Sequence, residues 1–224
     1  MNTLIESTLS ALHHQCIPVI RSQSLEEALW IAHQMVQVGF QAIEFTLSTP
    51  DVFNFFQEER PLEFKNVVCG LGTLTQDAHF DAIVNVVNPP DFIASPAILP
   101  KCLHPEYFIE SLKVLDSLGI LYLAGAATPS EVLYALASHV PAIKWFPAEA
   151  MGGVRTLKTL LAPFPEAKLI PFGGVNPEQV EAYWQAGAWA VGIGHYLMPS
   201  TEILKNRDAQ AYRQYLANAF QNIH

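Results

Sequence analysis

Apolar residues in this chain gather into short solid runs, each followed by a longer stretch in which they recur at helical spacing. The opening segment from Thr3 to His14 carries Leu4, Ile5, Leu9 and Leu12 at such spacing and reads as a short amphipathic helix. Cys16-Ile17-Pro18-Val19-Ile20 then reads as a buried strand ending in Arg21. Ser24 with Glu27 three residues later forms a capping-box signature, and helical periodicity runs from Leu25 to Val38 before Gly39 stops it. Ala42 to Leu47 is a second strand with one acid, Glu44, inside it.

The same alternation repeats. Thr49-Pro50 opens a helix, and Val67 to Gly70 forms the third strand. Phe92 to Ser95, Leu121 to Ala124, Ala142 to Phe146, Leu169 to Phe172 and Ala190 to Ile193 complete the set. Thr128-Pro129-Ser130-Glu131 and Asn176-Pro177-Glu178-Gln179 each supply a cap, a proline at the first helical position and Glu or Gln at the third. Strand ends recur at roughly 25 residues, the rhythm of βα units. Eight units preceded by a helix predict a closed (β/α)8 TIM barrel. An open doubly wound sheet is the weaker fit, because no GxGxxG follows the first strand. With no linker and no shift in composition, residues 1–224 are expected to form a single domain.

In a barrel the reactive groups stand at the C-terminal strand ends. Arg21, Glu44, Thr46, Ser48, Thr73, Ser95, Lys144 and His195 are the polar residues in or just after these runs, and they are expected to converge in one mouth. Lys144 is the most unusual, lying between Ile143 and Trp145-Phe146. A lysine is rarely buried without a partner, and removing it from water favours the neutral, nucleophilic amine. The alternative is a lysine reaching solvent at the strand end, or pairing with Glu44 or Glu149. Glu44 is either that structural partner or a proton carrier beside the amine. Lysine plus carboxyl is the equipment for Schiff-base carbon chemistry.

Gly70-Leu71-Gly72-Thr73 and Gly173-Gly174 are placed to bring backbone N–H groups to an anion at helix starts, or to serve turn geometry alone. Thr73 fits a turn or cap equally well. Arg21 offers a cation for a carboxylate or phosphate, or a salt bridge on the barrel rim.

Composition narrows the classes of function. The chain has 224 residues, 50% of them hydrophobic and 15% charged, which suits a large core with many buried strands. A formal charge of -9 argues against nucleic-acid or anionic-membrane partners while leaving room for a locally positive site. Cys16, Cys69 and Cys102 lack CxxC spacing and read as reduced, packed thiols. No run approaches the roughly 18–20 apolar residues of a membrane span, and the start lacks a basic leader. A cytoplasmic protein is expected. The histidines form no HxH or HxxxH pair, so neither a metal site nor any other cofactor is expected.

Taken in order, five pieces resemble the bacterial 2-keto-3-deoxy-6-phosphogluconate / 4-hydroxy-2-oxoglutarate aldolases, which are class I lyases. They are Ile43-Glu44-Phe45-Thr46-Leu47, Gly70-Leu71-Gly72-Thr73, Ser95-Pro96, Ile143-Lys144-Trp145-Phe146-Pro147-Ala148-Glu149 and Pro171-Phe172-Gly173-Gly174-Val175. The resemblance implies a metal-independent barrel enzyme, usually a homotrimer, that cleaves a small-molecule 2-keto-3-deoxy acid to pyruvate and an aldehyde. It implies Lys144 as the Schiff-base lysine and Glu44 as general acid/base. It further implies Thr73 at the pyruvyl carboxylate, Pro96 and Phe146 in the pocket wall, and Gly173 and Gly174 at a phosphate.

Three positions depart from the family pattern. Ser48 stands where many members carry a substrate-binding arginine, a charge that Arg21 relocates to the first strand. Phe172 replaces a threonine and His195 a serine near the phosphate site. The substrate alternatives are therefore the phosphorylated sugar acid, or 4-hydroxy-2-oxoglutarate or another unphosphorylated 2-keto-3-deoxy acid. Outside this chemistry stand a metal-dependent aldolase and a non-catalytic barrel that binds an anionic metabolite.

Overall fold

The computed structural model describes residues 2–58, 60–98 and 104–220, so Cys102 lies outside the described residues. Eight parallel strands appear in chain order: β1 (Cys16–Ile20), β2 (Ala42–Thr46), β3 (Val68–Gly72), β4 (Phe92–Ala94), β5 (Leu121–Ala126), β6 (Ala142–Trp145), β7 (Leu169–Pro171) and β8 (Val191–Ile193). Each pairs with its sequence neighbour, and β1 also pairs with β8. A bridge between Phe172 and Gly192 joins the end of β7 to β8. The expected (β/α)8 barrel is the observed architecture. Helices α1 (Thr3–Ala11), α2 (Leu25–Gln37), α3 (Asn54–Gln57), α4 (Asp77–Ile83) and α5 (Pro105–Leu118) occupy the first half. The second half holds α6 (Pro129–Ala137), α7 (Gly153–Leu161), α8 (Val180–Gln185), α9 (Thr201–Asn206) and α10 (Ala209–Ala219). None of them is long and apolar enough to cross a membrane among the described residues.

Strands buried on both faces must be apolar on both, which is why the sequence shows solid runs rather than alternation. The structure divides each run between two cores. Ile43 and Phe45, Ile93, Tyr122 and Ala124, and Ile143 and Trp145 face the helices. Their neighbours Ala42, Phe92, Ala94, Leu121, Leu123, Ala142 and Ile170 fill the barrel interior. Ile5, Leu9 and Leu12, from α1 and the residue that follows it, join that interior core. The Trp189 indole N–H donates to the Leu9 carbonyl and ties α1 to the residues before β8.

Side-chain caps fix several of the helix starts. At α6 the Thr128 hydroxyl accepts the Glu131 N–H, and the Glu131 carboxylate accepts the Ala127 N–H, the Thr128 N–H and the Thr128 hydroxyl. Asn176 and Gln179 form the second reciprocal box. At α2 only half of the expected box is present. Ser24 accepts the Glu27 N–H, whereas the Glu27 carboxylate accepts the Ser22 hydroxyl and the Gln23 N–H.

The helix expected to open at Thr49-Pro50 is absent. Turns occupy that segment, and α3, a single helical turn, begins at Asn54. The reason is tertiary: the Thr49 hydroxyl, 1% exposed, accepts the Ser22 N–H at 3.2 Å and is not available to cap its own segment.

Because the Ala127 N–H and then the Thr128 N–H and hydroxyl stabilise its charged form, against the opposing effect of partial burial, the Glu131 carboxyl is held below the ordinary value of 4.5. Its contribution to stability is therefore present above the unfolded value and is lost as pH falls through the lower folded value. Thr128→Ala should cost about 1 kcal/mol at neutral pH. Thermal unfolding of Glu131→Gln against wild type should show a deficit at pH 7 that closes as pH drops below 4.5. A deficit independent of pH would contradict a charge-based cap.

Candidate active site

Strands β2 and β6 lie four places apart in an eight-membered ring, so their inward side chains meet across the barrel axis. Lys144 and Glu44 do so. The Lys144 Nζ donates to Glu44 Oε1 at 3.0 Å and to Oε2 at 3.2 Å. Glu44 is 0% exposed and Lys144 5%. Of the partners open to this lysine, Glu44 is the one observed, and Glu149 is engaged elsewhere. Gly72 on β3 makes the space, since a Cβ there would stand 1.9 Å from Glu44 Oε1. Any side chain at 72 would displace the carboxylate from the lysine.

Gly70 lies inside the third strand as expected, and Gly72 ends that strand rather than opening a helix. Both admit neighbouring side chains, Phe92 at Gly70 and Glu44 at Gly72, which fits the geometric of the two readings. Thr73 follows with φ 69, a left-handed conformation that a β-branched residue adopts only under constraint. Strain of this kind concentrates at functional sites.

A cavity of about 560 Å³ opens above the pair, lined by residues in and just after the C-terminal parts of the strands. Glu44, Lys144 and Phe172 line it together with Thr73, Pro96 and Phe146. Gly173, Gly174 and His195 lie on the β7–β8 side, and Arg21 on the β1 side. Nine of the ten residues singled out from sequence thus share one cavity. Ser48 is the exception: it is exposed, outside the lining, and its hydroxyl lies 2.9 Å from that of Thr46. Two further strand-end residues also miss the mouth. Thr46 is buried beside Ser48, and Ser95 sits 2.8 Å from the Tyr122 hydroxyl, on the helix-facing side of its strand.

The far end of the cavity is set by the β7–α8 turn. Gly173 and Gly174 have φ of 97 and 84, conformations that glycine adopts without strain. The Gly173 N–H lies on the β8 side, next to the Phe172–Gly192 bridge, and the Gly174 N–H makes no backbone hydrogen bond among the described residues. Glu149 holds this turn from beneath. It accepts the Tyr183 hydroxyl and the Gln179 side-chain amide, and its N–H donates to the Gly173 carbonyl at 3.1 Å. Burial, and then the hydrogen bond and charge of Glu149, push the Tyr183 hydroxyl above the usual tyrosine range. Arg21 is exposed and forms no ion pair among the described residues, so the rim salt bridge finds no partner there. His195 is exposed and packs its ring 3.9 Å from that of Tyr196.

Val19, Gln23, Gly192, Gly194 and Met198 line the cavity without having been singled out. Gln23 carried a usable signal, being polar and two residues beyond the strand end at Arg21. Met198 carried none. Phe172 was noted only for the hydroxyl it lacks, yet its ring centroid lies 4.2 Å from Lys144 Nζ. Among the described residues no group of three or more His, Cys, Asp or Glu side chains is arranged to hold a metal ion.

Chemically, this arrangement sets an amine and a carboxyl at hydrogen-bond distance in a dry floor beneath a cavity of metabolite size. Comparison with known proteins points the same way. The chain is 27% identical over 187 residues to the KHG/KDPG aldolase of Escherichia coli strain K12, covering 82% of this chain and 81% of that protein. It is 26% identical over 171 residues to the 2-dehydro-3-deoxy-phosphogluconate aldolase of Haemophilus influenzae, covering 75% of this chain and 73% of that one. Among solved structures, KDPG aldolase from Legionella pneumophila, with pyruvate captured at low pH as a covalent carbinolamine, superposes with a TM-score of 0.76 at 27% identity over 97% of both chains. The family described as KDPG and KHG aldolase matches residues 5–215, and the chain belongs to that family.

Proposed function

We propose that this protein is a metal-independent class I aldolase. It cleaves 2-keto-3-deoxy-6-phosphogluconate to pyruvate and glyceraldehyde 3-phosphate through a Schiff base on Lys144. The observation that carries this reading is the hydrogen-bonded Lys144–Glu44 pair on the cavity floor.

One proton passes from the ammonium to the Glu44 carboxylate, and the freed amine adds to the substrate's C2 carbonyl. Glu44 relays a proton from nitrogen to the new alkoxide, giving a neutral carbinolamine. It then protonates the hydroxyl, which leaves as water and yields the iminium. Glu44, again a carboxylate, takes the proton of the C4 hydroxyl. The C3–C4 pair flows toward the iminium, the aldehyde departs, and an enamine remains. Protonation at C3 by Glu44 and hydrolysis release pyruvate and restore the pair. The Legionella relative, with pyruvate held as a carbinolamine, supports this course.

In the same reading the Thr73 hydroxyl binds the C1 carboxylate, and Pro96 and Phe146 wall the pyruvyl end. The Gly173–Gly174 turn, with Arg21 and His195, receives the distal anion. Arg21 supplies the charge there, and Ser48 is a rim residue at most. A second reading, 4-hydroxy-2-oxoglutarate as preferred substrate, is favoured by one observation: Phe172 puts an apolar ring, 2% exposed, in the wall near that anion. We assign the whole chain to one domain that acts in the cytoplasm as a homotrimer. Free, buried Cys16 and Cys69 support a reducing compartment, with the Cys69 thiol pushed up to about 12 by burial. The apolar, exposed Tyr107, Ile109, Val114 and Leu118 on α5 support an oligomer.

Incubation with pyruvate and borohydride should add one reduced pyruvyl group at Lys144, read by peptide mass spectrometry, and abolish activity. No adduct, or full activity in Lys144→Ala, would refute the Schiff base. Glu44→Gln should lower turnover by about 100-fold or more while the adduct still forms. Equal loss of both would reduce Glu44 to a positioning role. Pyruvate release from the phosphorylated and unphosphorylated acids, compared as kcat/KM, decides between the two substrates.

A further inference from the structure

Besides Glu44, the Lys144 ammonium meets an aromatic ring that the Schiff-base reading does not use. The Phe172 ring centroid lies 4.2 Å from Nζ. The ring is held in place. It lies over Gly192 of β8, where a Cβ would stand 2.0 Å from the ring, so a side chain at 192 would evict it. The Phe172 backbone is tied on both sides, its N–H donating to the Trp145 carbonyl at 2.9 Å and its carbonyl accepting the Ala148 N–H at 2.7 Å. Both partners belong to the chain around β6, so ring and lysine are built as one unit.

We propose that Phe172 is a catalytic residue whose ring face stabilises positive charge on the Lys144 nitrogen and so holds the covalent adduct as iminium rather than carbinolamine. This inference rests on the Schiff-base reading and adds to it. A cation within about 6 Å of an aromatic centroid is attracted by the ring quadrupole, most strongly where water is excluded. Lys144 is 5% exposed and Phe172 2%.

Charge on this nitrogen alternates through the reaction. It is positive in the resting ammonium and in the iminium, and neutral in the amine, the carbinolamine and the enamine. Glu44 changes its own charge at each of these steps. The ring neither gives nor takes a proton, so it acts as a fixed bias toward the charged states. In the dehydration step the carbinolamine hydroxyl takes a proton from Glu44 and its C–O bond breaks. Water leaves, and the nitrogen lone pair becomes the C=N bond. Charge then appears on nitrogen, in front of the ring. The resting ammonium gains the same stabilisation. Total covalent occupancy should therefore change less than the partition between iminium and carbinolamine.

A ring that merely fills the barrel would have no effect on that partition, which supplies the test. The enzyme is saturated with pyruvate labelled with carbon-13 at C2, and the carbinolamine and iminium carbons are integrated by NMR. Wild type, Phe172→Tyr, Phe172→Leu and a series with one, two and three fluorines on the Phe172 ring are compared. Fluorination withdraws charge from the ring face with little change of shape. The iminium-to-carbinolamine ratio should fall stepwise with fluorine number and by about tenfold in Phe172→Leu, while Phe172→Tyr stays near wild type. A ratio unchanged across the fluorinated series, with adduct present throughout, would overturn the role of Phe172 and leave the Schiff base standing. Absence of any covalent pyruvate carbon in the wild type would instead overturn the Schiff-base reading and this inference with it.

Discussion

A buried ion pair across the barrel axis is the constraint around which this structure is arranged. Glu44 from β2 and Lys144 from β6 are both removed from water, and each would be costly alone. Their attraction and two hydrogen bonds offset that cost only if the strands hold them at contact distance. Much of the interior follows from this requirement. Gly72 gives the carboxylate room, and α1 with the Ala42, Phe92, Leu121 and Ala142 layer seals the barrel beneath. As a stability device such a pair is poor, since well-packed apolar residues in its place are often as good or better. Its chemical value is that one proton transfer converts an ion pair into a nucleophile and an acid already in contact.

The same geometry connects the floor to the far wall. Phe172 touches the lysine, and the residue after it begins the Gly173–Gly174 turn at the far wall of the cavity. Glu149, five residues beyond Lys144 in the chain, braces that turn while bonded to Tyr183 and Gln179. Lys144, Phe172 and the Gly173–Gly174 turn are therefore positioned by two adjacent strands and the loops that follow them. A displacement of β7 against β6 would disturb all three.

The architecture was legible because a parallel barrel writes itself as apolar runs at even spacing, with caps between them. The two catalytic candidates were legible because a charge inside a solid apolar run has few innocent explanations. Orientation was not legible. In a strand buried on both faces, hydrophobicity does not mark which side faces the axis. Ser95 therefore looked like a site residue and proved to bond Tyr122 beneath the helices. Thr49 looked like a helix cap and caps a neighbouring loop instead, a contact 27 residues away in sequence. Gly72 read as either an anion turn or plain turn geometry, and it makes room for Glu44. Phe172 read as a lost hydroxyl, because a cation–π contact between β6 and β7 leaves no trace in local sequence.

The central claim is that the Lys144–Glu44 pair makes and breaks a carbon–nitrogen double bond with a 2-keto acid. Forming the iminium expels the keto oxygen as water, and hydrolysis returns an oxygen from solvent. The most direct measurement is therefore the entry of oxygen-18 from labelled water into the keto group of pyruvate, followed by mass spectrometry. The wild-type protein should exchange that oxygen much faster than buffer alone, and Lys144→Met should return the rate to the buffer value. Exchange no faster than in buffer, or exchange that persists in Lys144→Met, would contradict the account.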